Sequence, residues 1–395
     1  MTHDDATRRL DWLLDPVTPE VFFQEYFERK PLLLQGRGAD RYRDVLSFEA
    51  LDTVLTTRDL KHPDVLAVDA AKQLTEQDFT FEGGFIDVLR ISQLYADGAT
   101  LIFNQLERQW PALAGFCRDL EAALSTDVQA NVYLTPKKSQ GFRPHYDSHD
   151  VFVLQVEGRK HWLVYDTPMV LPLRRQDFDP EAFKPGEVTQ EFILEPGDMF
   201  YLPRGVMHDA RALEGESLHI TVGIKPVTWA DALVELVARA ALNDPSLRRS
   251  LPPGYARPGF DRTAYRDTMR SLLQGIVDGA DPDHILDHYA GEHIRSRAGV
   301  LHGQLGQTRL LRTLTLDARV AARPHLVYSI ERVDDKVRLS VNGSDLELPF
   351  KAEAAMREAL TRGEFVVRDL GGGLDEAGRL VLVRRLVREG CLRVL

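Results

Sequence analysis

The sequence predicts an α+β protein with a mainly β core of the sandwich or barrel kind, and three observations carry that prediction. Short runs rich in β-branched and aromatic residues crowd positions 82–225, Gly and Pro turn signals separate them, and helical patterns lie on both sides. Many short strands joined by turns favour a closed or two-layered sheet, because such a sheet hides its strand edges.

Taken in order, residues 10–60 read as helices interrupted at Pro16, Pro19 and Pro31. The segment Pro19–Phe27 sets aromatics at helical spacing, which reads as core rather than as a ligand site. Pro31-Leu32-Leu33-Leu34-Gln35 reads as a short buried strand. The β series follows: Thr100–Asn104, Asn131–Thr135, Val151–Val156, His161–Tyr165, Glu191–Leu194, Met199–Leu202 and Leu218–Val222. Its turns fall at Glu157-Gly158, Glu195-Pro196-Gly197-Asp198 and Pro203-Arg204-Gly205, and a helix over Trp110–Ser125 interrupts it.

From about 228 to 316 the pattern is helical, with Trp229–Leu242 and Ala264–Val277 well patterned and Asp281–Arg295 less so. Such a block joins domains or mediates self-association. The tail carries a strand pair, Leu326–Glu331 and Lys336–Val341, turning near Asp334-Asp335. Helical readings at Lys351–Thr361, Val366–Leu370 and Asp375–Glu389, then a last Leu392-Arg393-Val394, complete the element order of a winged helix. The expected domains are therefore 1–228, 229–316 and 317–395.

Composition narrows the function. A length of 395 residues exceeds one ordinary core, and 44% apolar with 28% charged residues describes a folded chain. A net charge of −11 argues against a general polyanion binder, although it leaves room for a local basic face. Between Leu326 and Leu395 twelve acidic residues balance twelve basic ones, so the tail lacks the basic excess of a DNA reader and nucleic acid is not the expected partner. The cysteines, Cys117 and Cys391, are far apart and lack metal spacing, which fits a reducing compartment. Met1–Arg9 has no apolar segment of the signal-peptide kind, and no run reaches the roughly 18–20 apolar residues of a membrane span. The expectation is a cytoplasmic protein without a membrane partner.

The chemistry concentrates in Arg143-Pro144-His145-Tyr146-Asp147 and, about sixty residues later, Tyr201-Leu202-Pro203-Arg204-Gly205-Val206-Met207-His208. On a strand, residues i and i+2 share a face, so His145 and Asp147 can meet one ion while Tyr146 points away. Adding His208 gives two imidazoles and a carboxylate on one side of an octahedron, with three positions open, as non-haem Fe(II) oxygenases require. Two can take a bidentate 2-oxo acid and the third dioxygen. His-x-Asp alone is a weak signal; the Gly-Asp-x-x-Tyr-x-Pro-x-Gly-x-x-His run ending at His208 is what raises it. Among other histidines, His149 is the spare candidate ligand, His161 reads as structural and His219 as a group behind the ligands.

A dianionic co-substrate needs a cation in the same cavity. Lys160 heads an apolar strand just past the Glu157-Gly158 turn, where an unpaired ammonium is costly, so it calls for an anionic partner. Asn131, Tyr133 and Thr135 alternate onto one face and are candidate hydrogen-bond donors, with Thr221 a further one of the same kind.

These residues carry a resemblance. Asn131–Pro136, Ser139-Gln140-Gly141-Phe142, Pro144–Asp147 and Phe152–Trp162 closely resemble the ribosomal oxygenases, JmjC/cupin-type 2-oxoglutarate enzymes that hydroxylate ribosomal proteins. Glu28-Arg29-Lys30-Pro31-Leu32, the helical middle and the tail fit the same layout. The resemblance implies a double-stranded β-helix (jelly-roll/cupin) core, a homodimer formed through the middle helices, and a C-terminal winged helix. It implies Fe(II) held by His145, Asp147 and His208, with 2-oxoglutarate, a co-substrate alongside O2, contacted by Lys160, Asn131 and Tyr133. Arginine-hydroxylating bacterial members usually have arginine where Lys160 stands, whereas histidine-hydroxylating members resemble this chain there but have serine in place of Gly223. The target residue, arginine or histidine, stays open. The alternatives are an oxygenase of this type acting on another protein or a small molecule, and a non-catalytic metal-binding regulator.

Overall fold

Eight antiparallel strands build the main sheet: β1 (Leu32–Leu34), β2 (Val65–Val68), β3 (Thr100–Phe103), β4 (Asp127–Thr135), β5 (Asp150–Tyr165), β6 (Val188–Leu194), β7 (Met199–Leu202) and β8 (His208–Lys225). Their order is β1-β7-β5-β8-β4-β3-β2, with β6 also on β5. The computed structural model describes residues 3–70 and 72–395. One compact unit comprises the chain up to Lys225 together with Arg297–Leu395, and a second comprises Pro226–Ser296.

The sequence reading divides β5 into two strands with a turn at Glu157-Gly158; the structure corrects this. The chain runs on for 16 residues, and the ladder to β8 shifts register twice, between Gln155 and Glu157 and between Gly158 and Lys160. Gly158 sits at φ +63°, and a Cβ there would lie 1.8 Å from the carbonyl oxygen of Glu216. The Gly read as a turn residue is a bulge residue. The shifts change which residues face inwards: Val151 and Val153 do so before the bulge, Lys160 and Trp162 after it. Gly158→Ala is expected to cost about 2–5 kcal/mol, from the left-handed backbone and the backbone clash together. A urea midpoint within error of wild type would refute this account of the bulge.

Both faces of β5 are covered, which explains its nearly unbroken apolar run. Phe152, Leu154 and Val156 join Leu10, Leu13, Leu14 and Phe22 in the larger core, while Val151, Val153, Trp162 and Val164 meet Leu194 and Phe200 in a smaller one inside the sheet. Phe22 packs edge-on against Tyr201 at 4.8 Å, so the aromatic spacing near Pro19 is indeed core.

The Pro111–Leu124 helix opens with Pro at its first turn and ends at Ser125 in the left-handed region. Its buried Asp119 and Glu121 anchor the C-terminal segment: His325 Nδ1 lies 2.6 Å from Asp119, and Arg297 pairs with Glu121 at 2.7 Å. That segment contains β9 (Arg319–Ala322), β10 (Tyr328–Val333), β11 (Lys336–Val341), β12 (Ser344–Pro349), β13 (Glu364–Val366) and β14 (Leu392–Val394). They form two three-stranded antiparallel sheets, β10-β11-β12 and β13-β9-β14, with helices Glu353–Thr361 and Glu376–Arg388. The predicted β10–β11 pair turns at Asp334-Asp335, and β12 is a third strand that the sequence reading omits. Val366–Leu370 holds a single short turn, Val367–Asp369, instead of a full helix.

The Pro226–Ser296 unit consists mainly of helices Trp229–Asn243, Thr263–Gly279 and Pro282–Ser296. Thr228 and Asp231 close the first with a reciprocal capping box. Its apolar side chains are largely uncovered: Trp229 is 86% exposed and Leu242 75%, with Leu233, Val234, Leu273 and Val277 exposed as well. Among the described residues, no helix is long and apolar enough to cross a membrane.

Candidate metal centre and its cavity

His145 and Asp147 lie in an irregular segment before β5, not on a regular strand as the spacing argument supposes. A single antiparallel bridge does the same work. The His145 N–H donates to the His208 carbonyl (3.1 Å) and the His208 N–H to that of His145 (2.8 Å), which sets the two rings 4.7 Å apart. The Gly205 N–H donates to the Asp147 carbonyl at 2.9 Å, so the Pro203-Arg204-Gly205 turn and the Asp147 loop hold each other. One ligand atom from each of His145, Asp147 and His208 lies within 4.8 Å of the others, and Tyr146 is buried elsewhere against Phe178 and Phe183.

The proton positions suit a metal. His145 Nδ1 lies 2.9 Å from the Arg143 carbonyl and His208 Nδ1 3.0 Å from that of Val206. A carbonyl only accepts, so each Nδ1 carries a proton and each Nε2 is the nitrogen left to meet a metal. Burial, with His145 beside it, brings the His208 imidazole down to about 4, so it is neutral at physiological pH. Burial alone would raise Asp147, but His149, His145 and His208 together hold its carboxyl below the usual range. Two imidazole nitrogens and one carboxylate oxygen are a donor set fit for a divalent transition ion.

The same cavity is lined by Lys160, Tyr133, Thr221, His219 and Trp162. Lys160 is 5% exposed; its Nζ reaches Thr135 Oγ1 at 3.2 Å and lies 3.5 Å from His219 Nδ1, and among the described residues no carboxylate pairs with it. Burial pulls its ammonium down to about 7. His219 stacks flat on Tyr133 at 4.8 Å and faces the same cavity.

Residues 107–232 match a JmjC domain. Ribosomal oxygenase 1 of Danio rerio is 30% identical over 304 residues, covering 70% of this chain and 53% of the relative. The protein named bifunctional lysine-specific demethylase and histidyl-hydroxylase NO66 of Drosophila mojavensis is 33% identical over 288 residues, covering 69% of this chain and 32% of the relative. The chain thus spans between a third and about half of these relatives. Escherichia coli YcfD, solved as a ribosomal oxygenase in complex with cobalt and 2-oxoglutarate, superposes with a TM-score of 0.54 at 16% identity, covering 96% of this chain and 98% of that one.

The chain carries a JmjC domain and is similar to the ribosomal oxygenases. Its fold is the mixed α/β JmjC/cupin type with a large antiparallel sheet. In this JmjC-type chain, Asn131 departs from expectation: it does not line the cavity, and its Oδ1 accepts a hydrogen bond from the Gln105 N–H at 3.0 Å. His149 stays outside the ligand cluster, and its ring packs over Gly223, 2.6 Å from where a Cβ would stand. A serine at position 223 would therefore have no room unless His149 moved.

Two residues of the cavity, Trp162 and Asp209, were given no role by the sequence reading. Trp162 stacks on His208 at 5.8 Å and keeps a buried indole N–H without a partner among the described residues. Its inward orientation follows from the bulge parity, which no local pattern reveals. Asp209 lines the cavity wall, and its Oδ2 accepts from Gln140 Nε2 (3.3 Å) and the Tyr165 hydroxyl (3.4 Å). The signal available was its position immediately after a candidate ligand.

Proposed function

We propose that the chain is an Fe(II)- and 2-oxoglutarate-dependent dioxygenase that hydroxylates an arginine or histidine side chain of a ribosomal protein. One observation carries the reading: a two-histidine, one-carboxylate cluster shares its cavity with a buried lysine that has no carboxylate partner. His145, Asp147 and His208 would hold the iron through Nε2, a carboxylate oxygen and Nε2. With 2-oxoglutarate and O2, a bound iron of this kind supplies oxidative decarboxylation to succinate and CO2, coupled to insertion of one oxygen atom into a C–H bond.

The protein's own residues bind and aim. Lys160 supplies the positive charge for the distal carboxylate of 2-oxoglutarate, with Tyr133, Thr221 and the Trp162 indole as neighbouring donors. The apolar Val151 and Val153 walls keep water from that end. Asp209 offers a counter-charge at the cavity wall to a cationic target, arginine or protonated histidine. The uncovered apolar helices of Pro226–Ser296 support a homodimer, and we read residues 317–395 as a winged-helix module for structure or substrate docking.

The direct test is intact-mass comparison of ribosomal proteins from cells with and without this gene, complemented by wild type or Asp147→Ala. The expected result is a gain of one oxygen atom on one protein that requires Asp147. Identical masses in all strains, together with no iron-dependent succinate release in a ribosomal extract, would sink the proposal.

A pH dependence follows from Lys160. With its ammonium near 7 in the free protein, binding a dianion above that pH requires proton uptake. Affinity for 2-oxoglutarate is expected to be flat below about pH 7 and to fall by up to about tenfold per unit above it. Lys160→Arg, which stays charged, should flatten the profile. A wild-type affinity that is constant from pH 6.5 to 8.5 in calorimetry would rule out Lys160 as the counter-ion.

A further inference from the structure

Away from the metal cavity, a cleft of about 590 Å³ opens between the N-terminal helix His3–Leu14 and the C-terminal segment. Five guanidinium groups line it: Arg8 and Arg9 from the helix, and Arg323, Arg362 and Arg393 from the opposite wall. Its carboxylate, Asp119, is buried and already engaged, by Arg9 at 3.2 Å and His325 at 2.6 Å. Arg362 shares its charge with Glu358 at 2.8 Å. The Arg393 side chain is exposed and has no hydrogen-bond or ion-pair partner among the described residues.

Arg323 is the telling member. It is 6% exposed, and its terminal nitrogens donate to the His302 carbonyl (3.0 Å) and Gln304 Oε1 (2.6 Å), both neutral. Its Nε is buried and unpartnered. A buried guanidinium with no carboxylate is costly, and Arg393, on the same wall, adds a like charge to it. In a chain of net charge −11, such a concentration of arginine calls for an anion from outside.

We propose that this cleft binds the phosphodiester backbone of RNA. Guanidinium forks match phosphate oxygens two at a time, and several on facing walls fit a ligand whose charge repeats. A protein partner would need a buried apolar anchor at the centre of the contact. The candidate, Trp12, already has Arg9 and Arg41 over its ring. Choosing RNA over DNA rests on the ribosomal-protein reading above, since such a substrate is met next to RNA.

The test measures binding alone, without metal or 2-oxoglutarate, so it succeeds or fails independently of turnover. Fluorescence anisotropy of the full chain with a labelled single-stranded RNA 12-mer is expected to show saturable, salt-dependent binding. The double variant Arg362→Glu/Arg393→Glu should weaken it about tenfold or more and reduce the log–log salt slope by about 1.4, at about 0.7 per lost phosphate contact. Arg362→Gln/Arg393→Gln, a gentler change, should fall between, and Arg270→Glu, on an exposed helix of the other unit, should leave binding unchanged. Equal affinity in wild type and double variant, or equal loss in the Arg270 control, overturns the assignment. So does stabilisation by inorganic phosphate with no RNA binding, tighter binding of duplex DNA, or capture of an acidic peptide in place of RNA.

Discussion

Replacing Asp147 with alanine is expected to lower iron-dependent succinate formation by on the order of a thousandfold, equivalent to about 4 kcal/mol of lost transition-state stabilisation. The carboxylate is the one anionic donor in the cluster; His145 and His208 enter as neutral imidazoles with Nδ1 protonated. Without it a dication would sit between two uncharged ligands, beside His149 and near a lysine. The loss should therefore exceed the roughly 10–100-fold typical of removing a group that merely orients a ligand. Cobalt titration followed by visible absorbance separates metal loss from misfolding, and thermal unfolding of the metal-free protein should be little changed. An Asp147→Ala protein that binds cobalt and releases succinate like wild type would falsify the ligand assignment.

The largest effect on stability is expected at Arg204. This side chain is 6% exposed, pairs with Asp150 Oδ2 at 2.8 Å and also with Glu28. Asp150 is wholly buried and takes further hydrogen bonds from the Tyr201 hydroxyl (3.0 Å) and the Arg204 N–H (3.3 Å). Arg204→Met leaves a buried carboxylate without its cation, a change that costs about 3–5 kcal/mol. Burial already raises the Asp150 carboxyl, and losing the guanidinium raises it further. A folded-state value above the unfolded one means stability is lost as pH rises, so the deficit should grow from about pH 4 toward neutrality. Asp150→Asn in the same background removes the uncompensated charge and should restore part of the loss. Chemical denaturation at pH 5 and 7 checks this; a deficit independent of pH, or no rescue by the Asp150→Asn change, would mean that packing and not charge holds the turn. Because Arg204 stands four residues before His208, metal affinity should weaken in parallel.

Much of the site was readable from local spacing. His145 and Asp147 two apart, and His208 at the end of a Gly-Asp-x-x-Tyr-x-Pro-x-Gly-x-x-His run, sufficed to nominate three side chains that do converge. The middle helices were legible because a 3.6-residue period is written into consecutive residues. Other features were not local. The Gly158 signal is the same for a turn and a bulge, and only the carbonyl of Glu216, across the ladder, distinguishes them. Asn131 shares a strand face with Tyr133 and Thr135, yet the Gln105 N–H captures it. The arginine cleft draws on residues more than three hundred positions apart, whose sum over the tail alone is neutral.

What the order of residues determined by itself was the kind of chemistry: which donor atoms are available, their spacing along the chain, and the alternation that buries one set of side chains. These are properties of neighbours in sequence, set by covalent geometry and period. The tertiary structure decided which of them share a cavity. Lys160 and Trp162 face the metal ligands because two register shifts displace the inward set by one residue, and strand pairing, not local preference, selects such shifts.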